Sequence, residues 1–345
     1  MNDKYFKRVN NQTNTRFWIN NPTEKELRKA IEEGAISVTT NPTYVMKVMK
    51  DEAERTKVYS FIRTAKKTIK NENEIALYVQ RNMAKCLMDI FLPYYLKNER
   101  KKGFVSVQVD PYSEKNPDMI IAEAFEDIKI SQNAIIKVPA TSAGLQAMEY
   151  LISKDIPIVA TEIMAIAQAL EVCELYKRVS SATGNMPPFY LTHITGIFDD
   201  YMKKLVAEKG ISISSDVLWQ AGITIARKQY SIIKEKNYPV IMLGGGARGL
   251  HHFTEFVGGD IHITINWENT ADKLIELNPP VICRIDTPSP KHIVNELRDK
   301  IPDFARAYDE DGLKTEEYMD FGPVELFRSS FIKGWDYLID IIRSS

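Results

Sequence analysis

The chain has 345 residues, of which 44% are apolar and 26% charged, as in globular proteins with a sizeable core. Its 45 basic and 46 acidic side chains nearly cancel, which argues against nucleic acid or an anionic membrane surface as a partner. No run approaches the ~18 uncharged apolar residues of a membrane span, and the first residues contain no apolar leader. We therefore expect a cytoplasmic protein.

Short apolar runs rich in β-branched residues alternate with longer amphipathic segments, which predicts an α/β fold. Several runs are continuously apolar, as expected for parallel strands covered by helices on both faces. The predicted strands are residues 17–19, 36–39, 104–109, 134–138, 158–161, 190–195, 240–243 and 261–265.

Helical segments lie between most of these strands. One begins at the capping residues 23–26 and ends at Gly34, and a long helical region covers 44–97 with a polar break at 71–74. The other predicted helices are residues 117–128, 143–154, 162–176, 198–208 and 215–236.

Eight such repeats predict a single (β/α)8 TIM barrel over residues 1–287, with a helical insertion at about 44–100. A doubly wound open sheet is the alternative, which strand count alone does not exclude. Residues 288–345 predict a helical C-terminal extension packed on the barrel. Its aromatic residues are interpreted as docking anchors; they are Phe321, Phe327, Phe331, Trp335 and Tyr337.

Lys137 stands inside the apolar run 134–138, where a charged amine is costly to desolvate. The run therefore favours a neutral amine, and a neutral amine is a nucleophile. The alternative is a lysine whose head reaches solvent at the end of the strand.

In a TIM barrel the active site lies at the carboxyl ends of the strands. Polar residues at those ends predict the site; they are Asn20, Asn21, Asn41, Gln108, Asp110, Lys137, Thr161, Thr192, His193 and Arg248. Most are neutral, so we expect Lys137 to lie among amides and hydroxyls rather than beside carboxylates.

Four segments resemble, in chain order, motifs of the transaldolase family, which includes the fructose-6-phosphate aldolases. They are VTTNP at 38–42, VSVQVD at 105–110, IKVPATSAGL at 136–145, and IPIVAT at 156–161 followed by AQA at 167–169. The resemblance implies a TIM barrel of more than one subunit and a class I aldol mechanism with no metal or cofactor. Lys137 would form a Schiff base with a ketose, and a dihydroxyacetone-type unit would be transferred or released.

The resemblance also implies roles for individual residues. The predicted catalytic residues are Lys137, Gln108, Thr161, Asn20 and His193, and the predicted substrate-binding residues are Thr39, Asn41, Thr192, Gly246 and Arg248. The family's acid–base Asp falls at Asn20, its Glu at Gln108 and one phosphate-binding Arg at Ile197. Because an amide cannot carry a proton, His193 is the candidate acid–base, with Asp110 or a water held by Gln108 and Thr161 as alternatives.

With one phosphate cation lost, we expect an unphosphorylated substrate or one bearing another anion, such as a sulfonate, held by Arg248 and backbone amides. Two other classes stay open. One is a transaldolase-like barrel that binds an anionic sugar metabolite without aldol turnover. The other is an NAD-dependent oxidoreductase, suggested by Gly244-x-Gly246-x-x-Gly249, a pattern that is weak alone.

Histidines near this loop raise the question of a metal. His251 and His252 are adjacent, and we expect them to point in different directions, with no carboxylate at ligand spacing. The three cysteines form no CxxC pair. The sequence therefore predicts no metal site.

Overall fold

The computed structural model describes residues 3–99, 101–108 and 110–345, so that Val109, the predicted end of the third strand, lies outside the described residues. Within them, eight parallel strands pair in chain order and close into a barrel, as the TIM-barrel prediction requires. The strands are β1 Arg16–Asn20, β2 Ser37–Thr39, β3 Val105–Gln108, β4 Ala134–Pro139, β5 Ile158–Ile163, β6 Phe189–Ile194, β7 Ile241–Gly245 and β8 Ile261–Ile265.

Helices surround this barrel and cover its outer face. In the first half of the chain they are α1 Tyr5–Gln12, α2 Glu24–Glu32, α3 Tyr44–Val48, α4 Glu52–Ala65, α5 Glu72–Lys97, α6 Pro117–Ile128 and α7 Ser142–Ser153. In the second half they are α8 Ile166–Thr183, α9 Thr195–Lys209, α10 Ser215–Leu218, α11 Ala221–Glu235, α12 His251–Thr254, α13 Asp272–Leu277, α14 Lys291–Lys300, α15 Pro302–Tyr308 and α16 Gly322–Ser344. A π-type turn lies at Trp267–Ala271 and a 3₁₀ turn at Thr315–Glu317.

Local sequence accounts for several of these boundaries. The capping box predicted at Thr23 and Glu26 begins α2, since each side chain accepts a hydrogen bond from the other's backbone N–H. Asn71 caps α5 at the predicted polar break. One boundary is wrong in a way that matters for the site: residue 162, predicted as the start of a helix, belongs to β5, and α8 begins only at Ile166.

The barrel interior is filled in two layers. In the lower layer Trp18, Ile135, Val159, Tyr190 and Leu243 belong to one buried apolar cluster. Two residues further along the same strands lie Asn20, Lys137, Thr161, Thr192 and Gly245. Side chains on a strand alternate between its two faces, so residues two apart share the barrel interior. The strands thus carry an apolar plug and, above it, a polar floor.

Helix α16 crosses the carboxyl end of the barrel and contacts α3, α5, α9 and β5. Phe331 and Trp335 are fully buried there, and the indole nitrogen of Trp335 donates to Asn73 on α5 at 2.7 Å. Phe321 and Phe327 are buried as well, which agrees with their interpretation as docking anchors. Tyr337 is the exception, since it is 39% exposed.

Candidate active site

A cavity of about 500 Å³ opens at the carboxyl end of the barrel, and the side chain of Lys137 lies at its base. Lys137 is 4% exposed. Its Nζ lies 5.8 Å from the ring centre of Phe331 and makes neither a hydrogen bond nor an ion pair with any described residue. Burial lowers the pKa of Lys137 to about 8. About a tenth of the amine is then neutral at pH 7, against less than a thousandth for an unperturbed lysine.

Neutral side chains line one side of this cavity, as predicted for Asn20 and Thr39. Nδ2 of Asn20 donates to Oδ1 of Asn266 at 2.9 Å, and its Oδ1 accepts from Oγ1 of Thr39 at 2.9 Å. The hydroxyl oxygens of Thr39 and Thr264 are 2.6 Å apart. These four side chains line the cavity and hold one another in place, so they present a preformed polar surface to a ligand.

A second polar group follows β1 and β2. Asn21 has a left-handed backbone (φ 46°), which breaks the alternation of the strand and allows both Asn20 and Asn21 to face the cavity. Nδ2 of Asn21 donates to Oδ1 of Asn41 at 3.1 Å. Oδ1 of Asn41 also accepts from the hydroxyl of Thr43 at 2.6 Å. The predicted binding residue Asn41 is thus fixed in position at the cavity wall.

Three predicted residues present buried polar atoms that have no partner in the described chain. They are Oε1 of Gln108, Oγ1 of Thr161 and Oγ1 of Thr192. Gln108 pairs with Lys137 in the sheet register, and Thr161 pairs with Pro139 two residues beyond it. Of the three, Thr192 lines the cavity, whereas Gln108 and Thr161 are not among its lining residues. An unmet buried polar atom costs about 1–3 kcal/mol, so these atoms mark positions that favour a bound water or, at Thr192, a ligand hydroxyl.

The expectation that Lys137 lies among neutral groups is wrong. The carboxyls of Glu162 and Glu114 both act on it electrostatically, and both are fully buried. Neither is close enough to form an ion pair with the amine. Sequence reasoning missed Glu162 because it was assigned to a helix, and missed Glu114 because it lies in the loop after β3. A left-handed φ of 63° at Glu162, within a bulge of β5, brings it inward beside Thr161.

His193 does not fit the acid–base role predicted for it. Adjacent strand residues face opposite sides of a sheet, and Thr192 is the one that lines the cavity. The ring of His193 lies between the barrel and its helices, with Nε2 3.2 Å from the carbonyl oxygen of Gly222. Burial lowers its pKa to about 4, so the ring is neutral at physiological pH. Its contacts are those of a structural residue.

Asp110, the other predicted proton carrier, is also occupied elsewhere. Its Oδ2 accepts from Nδ2 of Asn73 at 2.6 Å, and its Oδ1 accepts from the backbone N–H of Tyr112 at 2.9 Å. Asp110 is buried and does not line the cavity. It ties the loop after β3 to α5.

Cations surround the mouth of the cavity. Arg248 lines it as predicted, but its Nε is engaged with Oδ2 of Asp200 at 2.7 Å. Ile197, at the position of the second phosphate-binding cation implied by the resemblance, lines the cavity with an apolar side chain. Lys50 and Lys333 also line the mouth, and neither has a hydrogen-bond or ion-pair partner among the described residues. The positive charge available to a ligand is therefore provided chiefly by these lysines.

The loop after β7 positions the predicted binding residue Gly246, which lines the cavity at φ +66°. A side chain there would collide with Ile194, since an added Cβ would lie 2.7 Å from its Cγ2. The loop leads into α12, which has only four residues. A dinucleotide fingerprint needs a full helix whose N-terminus faces the pyrophosphate, so this loop does not support nicotinamide binding.

The prediction that no carboxylate joins the adjacent histidines is wrong. Asp199 on α9, His251 and His252 bring their ligand atoms within 4.8 Å of one another, so these residues could hold a metal ion. In the structure His252 is already satisfied: Nδ1 accepts from the N–H of Arg248 at 2.8 Å, and Nε2 donates to Asp199 at 2.8 Å. The pair therefore anchors the loop that carries Arg248.

Comparison with known proteins agrees with this architecture. Residues 17–315 match the sequence model of the family Transaldolase/Fructose-6-phosphate aldolase. The chain belongs to this family. Transaldolases are also among its individual relatives: that of Neisseria gonorrhoeae is 30% identical over 155 residues, covering 44% of this chain and 43% of that protein. That of Mycobacterium leprae is 25% identical over 237 residues, covering 64% of this chain and 61% of that protein.

The chain spans about half the length of the relatives it matches. The transaldolase of Neisseria meningitidis, for example, is 28% identical over a region that covers 56% of that protein. The matched region contains Lys137 and all eight strands of the barrel except Arg16, the first residue of β1. None of the described helices is long and apolar enough to cross a bilayer.

Proposed function

We propose that this chain is a class I transaldolase or aldolase that acts on a ketose through an imine of Lys137. The proposal rests on the burial and the lowered pKa of the Lys137 amine. Lys137 lies buried at the base of a cavity, it has no ion pair, and burial lowers its pKa to about 8. Such an amine is an effective nucleophile near neutral pH. Membership of the transaldolase/fructose-6-phosphate aldolase family supports the same chemistry.

The reaction begins when neutral Lys137 adds to the carbonyl carbon of the ketose. The carbonyl oxygen takes one proton from the amine and one from an acid, and leaves as water; the product is an iminium ion. A base then removes the proton of the C4 hydroxyl, the C3–C4 bond breaks, and its electrons pass to nitrogen as an enamine. Attack of the enamine on an acceptor aldehyde gives a transferase, and its protonation gives a lyase.

The polar cavity wall suits the hydroxyl groups of a sugar. Asn20, Thr39 and Asn41 present fixed amides and hydroxyls, and Thr192 has an unpartnered hydroxyl oxygen. Hydroxyl-bearing ligands are recognised by such preformed donors and acceptors. In this proposal these four residues bind the dihydroxyacetone-type unit while Lys137 holds its carbonyl carbon.

The charge at the mouth favours a ketose that carries an anion. Lys47, Lys50, Lys333 and Arg248 line the cavity, and no carboxylate of the described chain does. With Ile197 at the position of one phosphate-binding cation, the anion would be held differently from the family pattern. We therefore propose a ketose bearing a sulfonate or another anion distinct from the usual phosphate, or an unphosphorylated ketose.

A second function is supported by two substitutions. Asn20 and Ile197 stand where the resemblance implies an acid–base and a phosphate-binding cation. A barrel with both changes could bind an anionic sugar metabolite without aldol turnover.

Borohydride trapping separates the two functions. The protein is incubated with a panel of neutral, phosphorylated and sulfonated ketoses, reduced, and digested for peptide mass analysis. The proposal expects an adduct on Lys137 with at least one ketose, together with aldehyde release or exchange. Lys137→Met should abolish both. Saturable binding without an adduct would favour the binding barrel, and preference for fructose 6-phosphate over every analogue would overturn the substrate class.

A further inference from the structure

Two buried glutamates, Glu162 and Glu114, act electrostatically on Lys137 without lining the cavity themselves, and the proposed function uses neither of them. Glu162 stands on the bulge of β5 and Glu114 in the loop between β3 and α6, and both side chains are fully buried. A left-handed backbone at a residue other than glycine costs about 1–3 kcal/mol and is found preferentially at functional sites. At Glu162 that backbone gives the carboxyl its inward position.

The two carboxyls form a pair. The two carboxyls act on each other, since the negative charge of Glu162 raises the pKa of Glu114. Two carboxyls buried next to each other are most stable when one of them holds a proton. Oε1 of Glu114 and Oε2 of Glu162 have no N–H or O–H donor in the described chain. The remaining oxygens are held: Nε of Arg328 donates to Oε2 of Glu114 at 2.9 Å, and Nε2 of Gln108 reaches Oε1 of Glu162 at 3.4 Å.

Burial favours a proton on the pair, and the cations around it oppose that effect. The charged or titratable groups that act on Glu162 are Lys137 from β4, Arg328 from α16 and Glu114. Burial raises the pKa of Glu162 to about 7 and that of Glu114 well above its usual range, and Arg328 opposes both shifts. Both shifts have the same direction, so the pair can hold a proton at a pH where an exposed glutamate would be ionised.

We propose that the Glu114–Glu162 pair supplies and recovers the proton for the imine chemistry of Lys137, through a water held by Gln108 and Thr161. This inference rests on the proposed function. The bridging position is marked by Oε1 of Gln108 and Oγ1 of Thr161, which are buried and unpartnered. Since the pair acts through that water, the two glutamates are positioning residues rather than groups that touch the ketose.

The protons balance over one turnover. The pair starts with one proton and passes it to the departing carbonyl oxygen, which leaves as water while the iminium forms on Lys137. The pair is then doubly negative beside the iminium cation and the guanidinium of Arg328, which offset its repulsion. It regains a proton when the C4 hydroxyl loses its own during cleavage of the C3–C4 bond, and the enamine nitrogen becomes neutral. The pair gives this proton up again when the enamine attacks the acceptor aldehyde or is protonated, and it recovers a proton when water hydrolyses the resulting iminium. Turnover therefore uses only the ketose, the acceptor aldehyde where there is one, and the water released in the first step, with no oxidant.

The test compares Glu162→Gln with a matched control, Glu123→Gln. Glu123 is a half-buried carboxyl whose pKa is also raised to about 7, but it accepts from the N–H of Asp110 and does not act on Lys137. The pH dependence of turnover by the wild type should be bell-shaped. The acid limb reflects loss of the neutral amine, and the alkaline limb reflects loss of the proton from the pair. In Glu162→Gln we expect kcat to fall about 100-fold or more, KM to change little, and the alkaline limb of the bell to disappear.

Borohydride trapping then separates this proposal from the proposed function. If the wild type gives no Lys137 adduct with any ketose, the proposed function fails. If the wild type forms the adduct and turns over, while Glu162→Gln keeps the wild-type kcat and the bell-shaped pH dependence, only the role of the pair is refuted. Equal losses in Glu162→Gln and Glu123→Gln would also refute it.

A measurement on the wild type covers the case in which Glu162→Gln does not fold. A ketose that forms the Lys137 adduct is added, and the infrared difference spectrum is recorded. We expect the band of a protonated carboxyl to decrease as the imine accumulates. The same change should be absent from the difference spectrum of Lys137→Met. An unchanged carboxyl region during imine formation would overturn the proposal.

Discussion

The two layers inside the barrel are built from the same strands and differ in how well they are satisfied. In the lower layer Trp18 packs edge-on against Tyr190, and its indole nitrogen donates to Nδ1 of His262 at 2.9 Å. In the upper layer, Thr161 and Thr192 leave their hydroxyl oxygens without a partner. The lower layer therefore stabilises the barrel, whereas the upper layer keeps unpartnered polar atoms that can bind a ligand at a cost in stability.

The largest effect is expected from Lys137→Met, which removes the nucleophile from the upper layer. We expect turnover to fall by about four orders of magnitude or more, while the free energy of unfolding rises by about 1–3 kcal/mol because a buried ammonium is lost.

The pH dependence of this stabilisation has a definite sign. The amine binds a proton less readily in the folded chain, with a pKa of about 8, than unfolded, with a pKa near ~10.4. The advantage of Lys137→Met should be complete below pH ~8 and fade as the pH rises towards ~10.4. Thermal melts across that range check this, with Lys333→Met as an exposed control. Equal stabilisation by the control would contradict the expectation.

Leu243→Ala tests the lower layer. Leu243 is fully buried in the apolar cluster, and its truncation should lower the free energy of unfolding by about 2–5 kcal/mol. Activity per folded molecule should persist well below the melting temperature, because no cavity-lining group is touched. Denaturant unfolding and active-site titration by borohydride trapping measure the two quantities. Loss of activity without loss of stability would show that the layers are not separable in this way.

Ile197→Arg tests whether the cavity mouth lacks a cation for phosphate. A second cation beside Arg248 should lower KM for phosphorylated ketoses by about 10- to 100-fold, the value of a charged hydrogen bond. Neutral ketoses should be unaffected. Steady-state kinetics with phosphorylated and neutral ketose pairs check this, and Ile197→Gln controls for side-chain length. A similar gain with Gln would mean that charge is not responsible.

Asn20→Asp should have the smallest effect. A carboxylate on the cavity wall favours the charged form of Lys137 and should raise the pKa of the amine by about one unit. The rate of borohydride trapping would then reach half its maximum at a higher pH, and trapping at pH 7 would slow. Asn20→Ser gives the uncharged reference. A shift towards lower pH, or the same shift in both variants, would contradict this.

Much of the fold was predictable because its signals are local. Each predicted strand overlaps an observed one, since continuous apolar runs bounded by polar turns mark buried parallel strands wherever they stand in the chain. The same is true of Lys137 within its apolar strand, and of Asn20, Thr39 and Thr192, which line the cavity as predicted.

The direction in which a side chain points was harder to predict than the strand on which it lies. Thr192 and His193 were both expected at the cavity, yet regular alternation allows only one of them to face inward. Asn20 with Asn21, and Thr161 with Glu162, do place consecutive residues inward, because Asn21 and Glu162 have left-handed backbones. His193 has no such irregularity, and nothing in the sequence distinguishes the three cases.

The strands, the buried lysine and the family could be predicted from the sequence alone, because each depends on residues close together in the chain or on motifs in a fixed order. The charges that surround the lysine could not, because they are brought together only by the fold. Glu114 arrives from a loop, Glu162 from a bulge, and Arg328 from α16 near the end of the chain. Electrostatic interaction depends on distance in space and on burial, and neither is encoded in the spacing of residues along the chain.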